Sequence, residues 1–134
     1  ANIRDWLYVE DHCSAVWKVM TDGAAGETYG VGGENEWKNI DLVRELCRIM
    51  DDRRPRSAGS YEDLITFVTD RPGHDRRYAI DCTKIKRELG WSQSVSFSEG
   101  LERTVDWYLA HGEWMDGVKS GEYRQWVEKN YAAR

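Results

Sequence analysis

Eight consecutive residues, Asp70-Arg71-Pro72-Gly73-His74-Asp75-Arg76-Arg77, hold most of the chemistry this sequence offers. Pro72-Gly73 forces a tight turn and sets Arg71 and His74 on either side of exposed backbone. A guanidinium binds phosphate oxygens two at a time, and a nearby imidazole can add a further donor. A charged turn is more often a solvated loop. The ligand reading gains from the apolar run that precedes it, Leu64 to Val68, because α/β proteins carry their ligand loops at strand ends. Arg4 stands inside an otherwise apolar segment. It is either an edge-strand arginine with its stem on the surface or a charge held inward for a phosphate, and spacing leaves both open. Asn39 is placed to cap a helix, and a helix N-terminus with free amides is itself an anion site. Gly32-Gly33-Glu34-Asn35 just before it would let backbone approach a ligand closely. Arg53, Arg54 and Arg56 form a second basic cluster, offset by Asp51 and Asp52, and read as a solvated loop.

What is missing narrows the chemistry further. The 134 residues contain no GxGxxG, GxxGxxG, GxxxxGK[ST] or GxSxG pattern. None of the seven tyrosines is followed four residues later by lysine. A dinucleotide pocket and a Tyr/Lys proton-transfer pair therefore cannot be written from this chain. His12 and His111 have no partners at metal-ligand spacing, and three histidines with three scattered cysteines make no plausible metal set. Cys13, Cys47 and Cys82 include no CxxC pair, which suits buried thiols in a reducing cytosol. A net charge of −5 argues against a general nucleic-acid surface. No stretch is long or apolar enough to be a signal peptide or membrane span. Seven Trp and seven Tyr against two Phe supply large apolar faces with polar handles, most of them for the core.

Apolar spacing outlines the elements that must hold these residues. A strand is expected over residues 3–9 and a helix over 11–21, with Val16, Val19 and Met20 on one face. A short strand at 28–31 precedes the helix capped by Asn39, whose apolar stripe is Ile40, Val43, Leu46, Cys47 and Met50. Residues 51–60 read as an exposed loop, 64–68 as a buried strand, and 78–80 as a last short strand. Asp81 or Thr83 could cap a helix through Ile85 and Leu89, stopped by Gly90. Ser96 and Glu99 have capping-box spacing before a helix that runs to about Ala110. Ser120 could start a final helix carrying Tyr123, Trp126, Val127 and Tyr131. With about five helices and a few short strands, the chain cannot build a full doubly wound sheet by itself. It is a small mixed α/β unit, or one that leans on missing strands. The absence of an initiator Met, and a strand-like run within three residues of Ala1, read as a boundary inside a longer protein.

Whole segments carry a more specific likeness. Residues 3–12 (IRDWLYVEDH), 26–33 (GETYGVGG), 70–81 (DRPGHDRRYAID), 87–91 (RELGW) and 104–109 (TVDWYL) resemble the C-terminal part of dTDP-glucose 4,6-dehydratases. These are members of the extended short-chain dehydrogenase/reductase family. The likeness covers essentially the whole chain. It implies an α/β fold: the helix-rich C-terminal substrate-binding part of an NAD(P)-binding Rossmann-like architecture, with residues 1–33 packing against a missing N-terminal nucleotide-binding domain. It implies that Arg4, Asn39 and the turn Asp70, Arg71, Pro72, Gly73 and His74 contact the substrate's nucleotide diphosphate, with Tyr78 nearby. For the intact enzyme it implies a cytoplasmic homodimer with tightly held NAD, acting on dTDP-glucose. The sugar is oxidised at C4, water is lost across C5 and C6, and the hydride returns to C6. The family's NAD glycines, Tyr/Lys pair and acid/base carboxylates lie N-terminal to this chain, so no catalytic or cofactor residue and no bound NAD are expected here. Trp37 replaces a more usual basic residue beside Asn39. The rival expectations are a UDP- or GDP-sugar epimerase, dehydratase or decarboxylase, and a noncatalytic binding module that self-associates through exposed edges.

Overall fold

The computed structural model describes residues 2–70 and 72–121. A two-stranded antiparallel ribbon joins β1 (Ile3–Asp5) to β2 (Glu36–Lys38), with Ile3 opposite Lys38, Arg4 opposite Trp37 and Asp5 opposite Glu36. Five α-helices surround it among the described residues: α1 (Val9–Asp22), α2 (Asn39–Arg53), α3 (Thr83–Leu89), α4 (Phe97–Ala110) and α5 (Gly112–Ser120). A 3-10 turn (Tyr61–Leu64) follows α2. Ile3 also forms a parallel bridge to Arg77, so β1 is bonded along both edges.

The core forms where α1 and α3 meet. Ala15, Cys82, Ile85 and Trp91 are buried, and Leu7, Val19, Tyr29, Val31 and Leu89 pack around them. The Trp91 indole donates to the Ser14 hydroxyl at 2.9 Å, satisfying its polar edge. Against this core lies one buried carboxylate, Asp11, at 4% exposure. It accepts from the Ser94 amide (3.0 Å), the Ser94 hydroxyl (2.7 Å) and the Val95 amide (3.0 Å). Burial pushes its pKa up, but these three bonds, with Arg103 nearby, outweigh that and hold it below its ordinary value of 3.8. The bonds tie the loop before α4 to the first turn of α1. Glu10 and Asp11 also place negative charge where the helix dipole favours it. On the other side, α2 buries Leu42, Cys47 and Ile49, and its terminal Arg53 bonds Glu102 and Asp106 of α4, both at 2.9 Å.

Several sequence-based expectations need correction. The strand expected over 3–9 stops at Asp5, because its partner ends at Glu36, and the chain turns into α1 at Val9. Residues 28–31 are not a strand; they lie against Ile80 and Asp81, so close that a Cβ on Gly30 would meet the Asp81 carbonyl at 2.6 Å. Residues 64–68 are neither strand nor buried: Leu64 ends the 3-10 turn, residues 65–68 are coil, and Leu64, Phe67 and Val68 are exposed. Residues 78–80 are coil beside the single Arg77 bridge. On α1, Val19 packs inward, whereas Val16 and Met20 are exposed; in α2, Val43 is exposed as well. The helix of α2 runs on through Arg53, three residues into the expected loop. Cys47 and Cys82 are buried, but Cys13 is exposed. Burial raises the pKa of the Cys82 thiol, whose Sγ lies 3.5 Å from the Gly32 carbonyl. Ser120 ends α5 rather than opening a helix, and Tyr123, Trp126, Val127 and Tyr131 lie outside the described residues. Other signals hold. The Ser96 hydroxyl caps α4 through the Glu99 amide and Gly90 ends α3 in the left-handed region, but the cap position of α3 is Cys82, neither Asp81 nor Thr83, and Asp81 only accepts from the Thr83 amide.

Two glycines give opposite predictions. A Cβ on Gly33 would stand 2.0 Å from the Trp6 carbonyl oxygen, which the backbone cannot move away from cheaply. Gly33→Ala should cost about 1–3 kcal/mol. Gly117, in the middle of α5, has no atom within 4 Å of a Cβ, so Gly117→Ala should gain about 0.5–1 kcal/mol. Urea unfolding of the pair checks the opposite signs. Asp11→Asn should cost about 1–3 kcal/mol at neutral pH, because one oxygen still accepts from Ser94 while an NH2 group replaces the acceptor of the Val95 amide and the charge is lost. A carboxyl depressed in the folded state stabilises fully above its ordinary value, 3.8, and loses that stabilisation as pH falls through the folded value. The gap between parent and Asp11→Asn should therefore close on acidification, and a pH-independent gap would contradict this role for Asp11.

Candidate functional site

Side chains alternate along a strand, so Asn2 and Arg4 leave β1 on the same face. Along the other edge of β1 the chain from Pro72 to Tyr78 runs alongside, within reach of that face and tied to β1 by Ile3 N–H to Arg76 O (2.8 Å) and Tyr78 N–H to Ile3 O (3.0 Å). Pro72 and Gly73 form the expected turn, with Gly73 at φ +70°, a conformation glycine adopts without strain.

Arg4 is the centre of this arrangement. Its Nη1 donates to the Ile3 carbonyl at 2.6 Å, and its Nη2 donates to the His74 Nε2 at 2.8 Å and the Asp75 carbonyl at 3.0 Å. The guanidinium carbon sits 4.4 Å from the centre of the Tyr78 ring, a cation–π distance. The Tyr78 hydroxyl in turn donates to the Asp75 carboxylate. His74 Nδ1 lies 2.6 Å from Asp70 Oδ1, and the other Asp70 oxygen accepts from Asn2 Nδ2 at 3.2 Å. Both ring nitrogens of His74 are thus engaged within the protein. Of the two openings left by spacing for Arg4, the structure takes neither in pure form: the charge is half-buried and bound, at the edge of a surface turn.

Arg4, Asp70, His74 and Tyr78, all expected at the site, form one cluster. Asn39 adjoins it through backbone, its N–H donating to the Asn2 carbonyl at 2.9 Å. It is not the helix cap; that position is Lys38, in extended conformation, and Asn39 is the first residue of α2. Its side-chain oxygen is buried and has no partner among the described residues. Arg71 lies outside the described residues. The Gly32–Asn35 loop offers less than the sequence suggested, since Asp5 already takes the Gly33 amide (3.1 Å) and the Asn35 amide (2.8 Å). Arg77 is held by both oxygens of Glu36 at 2.6 Å, and those bonds lower the Glu36 pKa. Arg53 belongs to the contact between α2 and α4. Sequence reasoning missed Asn2 and Asp75. The two-residue spacing of Asn2 and Arg4 in a strand was the signal that could have found Asn2.

A larger concavity, about 820 Å³, is lined by apolar groups including Trp6, Tyr8, Phe97, Trp107 and Trp114. It shares no residue with the Arg4 cluster, and Arg103 at its wall is paired with Glu99. Its lining offers little to hold a charged ligand, so the Arg4 cluster is the candidate site. Among the described residues no group of three His, Cys, Asp or Glu side chains could hold a metal ion, and no helix is long and apolar enough to cross a membrane.

Comparison with known proteins identifies the family. Residues 1–104 match the family model described as GDP-mannose 4,6 dehydratase, and the chain belongs to that family. Within it, the chain is similar to dTDP-glucose 4,6-dehydratases. It is 56% identical over 132 residues to that of Shigella flexneri and likewise to that of Escherichia coli, covering 98% of this chain. The chain spans 36% of the length of each of these relatives. Among solved structures, the dTDP-glucose 4,6-dehydratase of Bacillus anthracis, in complex with NAD, superposes with TM-score 0.72 at 42% identity, covering 84% of this chain and 33% of that one. The enzyme from Streptomyces venezuelae gives TM-score 0.75 at 40% identity, with 85% and 33% covered. The fold is the helix-rich C-terminal part of the extended short-chain dehydrogenase/reductase architecture.

Proposed function

We propose that this chain is the sugar-nucleotide-binding part of a dTDP-glucose 4,6-dehydratase, in which Arg4 and the turn from Asp70 to Tyr78 grip the substrate's diphosphate. One observation carries the reading. Arg4 is oriented by three hydrogen bonds and a ring face, which use three of its five N–H groups. Two donors, on Nε and Nη1, have no acceptor among the described residues. A guanidinium fixed in advance loses little further freedom on binding an anion. Asn39 and Arg71 complete the grip, and Pro72-Gly73 shapes the turn that carries it. Residues and relatives favour a dTDP-sugar over the UDP- or GDP-sugar alternatives, since the 56%-identical relatives are dTDP-glucose enzymes.

The intact protein, on this reading, is a cytoplasmic homodimer that converts dTDP-glucose to its 4-keto-6-deoxy product using NAD. The residues present do not suit the dinucleotide: the Gly32-Gly33 loop has its amides bonded to Asp5, and the Trp6 carbonyl fills the space beside Gly33. NAD therefore belongs to the part of the relatives' length that this chain does not cover. Residues 1–33 offer that part a surface. Val9, Val16, Trp17 and Met20 form one stripe on α1 and are 62%, 44%, 66% and 74% exposed.

Calorimetric titration of dTDP into the chain tests the grip. Arg4→Ala should weaken binding about tenfold or more, the cost of a sheltered charged hydrogen bond. Equal affinity would remove the role of Arg4, and tighter binding of UDP than of dTDP would favour the sibling enzymes. The chain by itself should not turn over dTDP-glucose. Sedimentation tests the α1 stripe: the parent chain should self-associate with rising concentration, and the Trp17→Lys/Met20→Lys double variant should stay monomeric. Association unchanged by the two lysines would place the contact elsewhere.

A further inference from the structure

We propose that Asp70 and Asn2 are positioning residues that fix one tautomer of His74, and that His74 serves the site as the anchor of Arg4 and gives the ligand no hydrogen bond of its own. The proposal rests on the diphosphate reading of Arg4 and adds how that arginine is aimed. Asp70 Oδ1 stands 2.6 Å from His74 Nδ1, and an ionised carboxylate can only accept, so Nδ1 carries the hydrogen. Arg4 Nη2 stands 2.8 Å from Nε2, and a guanidinium can only donate, so Nε2 presents its lone pair. The two contacts favour the same tautomer.

A competing contact exists and loses. Asn2 Nδ2 is also 3.0 Å from His74 Nδ1. Donation there would need a bare Nδ1, which would set a lone pair against the Asp70 carboxylate at 2.6 Å and an Nε2–H against the Arg4 donor at 2.8 Å. Two close contacts would turn repulsive to make one. Asn2 instead donates to the second Asp70 oxygen at 3.2 Å, which keeps the carboxylate turned toward the ring. A doubly protonated ring would likewise face an N–H toward Arg4, and two cationic groups would share one contact. The line of bonds therefore runs Asn2 to Asp70, His74 to Asp70, and Arg4 to His74, with each donor meeting an acceptor.

The sequence suggests a different role, a histidine donating to phosphate. In this arrangement neither ring nitrogen has a hydrogen to give a ligand. Without Asp70, Asn2 Nδ2 at 3.0 Å is free to donate to Nδ1, which favours the Nε2–H tautomer and would push Arg4 away from the position in which its Nε–H and second Nη1–H are left for an anion.

The test combines a spectroscopic and a binding measurement on the full chain. In alkaline buffer, long-range proton–nitrogen correlation of the His74 ring in uniformly labelled protein should show Nε2 as the bare nitrogen and Nδ1 as the protonated one. Asp70→Ala should reverse the pattern and weaken dTDP binding about tenfold, the effect of misaligning one charged bond. Asp70→Asn, whose oxygen can still accept from Nδ1, should keep the parent tautomer and recover most of the affinity. An amide spectrum as dispersed as the parent's establishes that each variant is folded. An Nε2–H tautomer in the parent chain would overturn the proposal whatever the affinity. Unchanged dTDP affinity in Asp70→Ala with the tautomer reversed would overturn the positioning role. The parent tautomer as expected, with no dTDP bound, would instead sink the diphosphate reading and leave the His74 geometry standing.

Discussion

β1 is bonded to two other parts of the chain at once. Along one edge it pairs with β2, where Ile3 stands opposite Lys38, and along the other the Ile3 amide and carbonyl bond Arg76 and Tyr78. A two-stranded ribbon alone is marginally stable in water, so the second edge matters out of proportion to its length. It brings a segment some seventy residues away in sequence against β1 and sets the two faces of that strand to different tasks. One face carries Asn2 and Arg4 toward the turn at Pro72-Gly73. The other carries Asp5 toward the Gly33 and Asn35 amides, which fixes the loop leading into β2. Loss of register by one residue would exchange those faces and separate Arg4 from His74.

Charge in this region is sorted by the partners it finds. Asp5, Asp11 and Asp70 each accept hydrogen bonds that hold a loop or a ring in place. Glu36 engages Arg77 with both oxygens and so occupies its charge. The exposed pairs along α2 and α4 add little stability individually, because water screens them. Asp11 differs, since its bonds lie in the interior, where an unmet acceptor or donor is costly. The same logic leaves Arg4 oriented, with two of its N–H groups lacking an acceptor among the described residues.

Helix α1 has two apolar faces. Asp11, Ala15 and Val19 turn toward the core with α3, while Val9, Val16, Trp17 and Met20 turn outward. The inward face also anchors the loop before α4 through Asp11, so a partner seated on the outward face would bear on an element already tied to the rest of the fold.

Sequence alone was enough for signals that act over a few residues. The Ser96 hydroxyl on the Glu99 amide, the left-handed Gly90 and the Pro72-Gly73 turn all depend on chain-local geometry, and each was legible. The basic and histidine character of the site was legible too, and so was the family to which its motifs belong. Strands were not. Residues 28–31 and 64–68 have the composition of strands, but a strand exists only where another backbone supplies its hydrogen bonds, and none does so among the described residues. The role of Asn39 changed because the first helical residue, not the cap, fell at its position. Likewise, nothing local reveals that His74 receives Arg4 on one nitrogen and faces Asp70 with the other. Arg4 and His74 are seventy residues apart, and only the pairing of β1 with the chain at Arg77 decides that they meet.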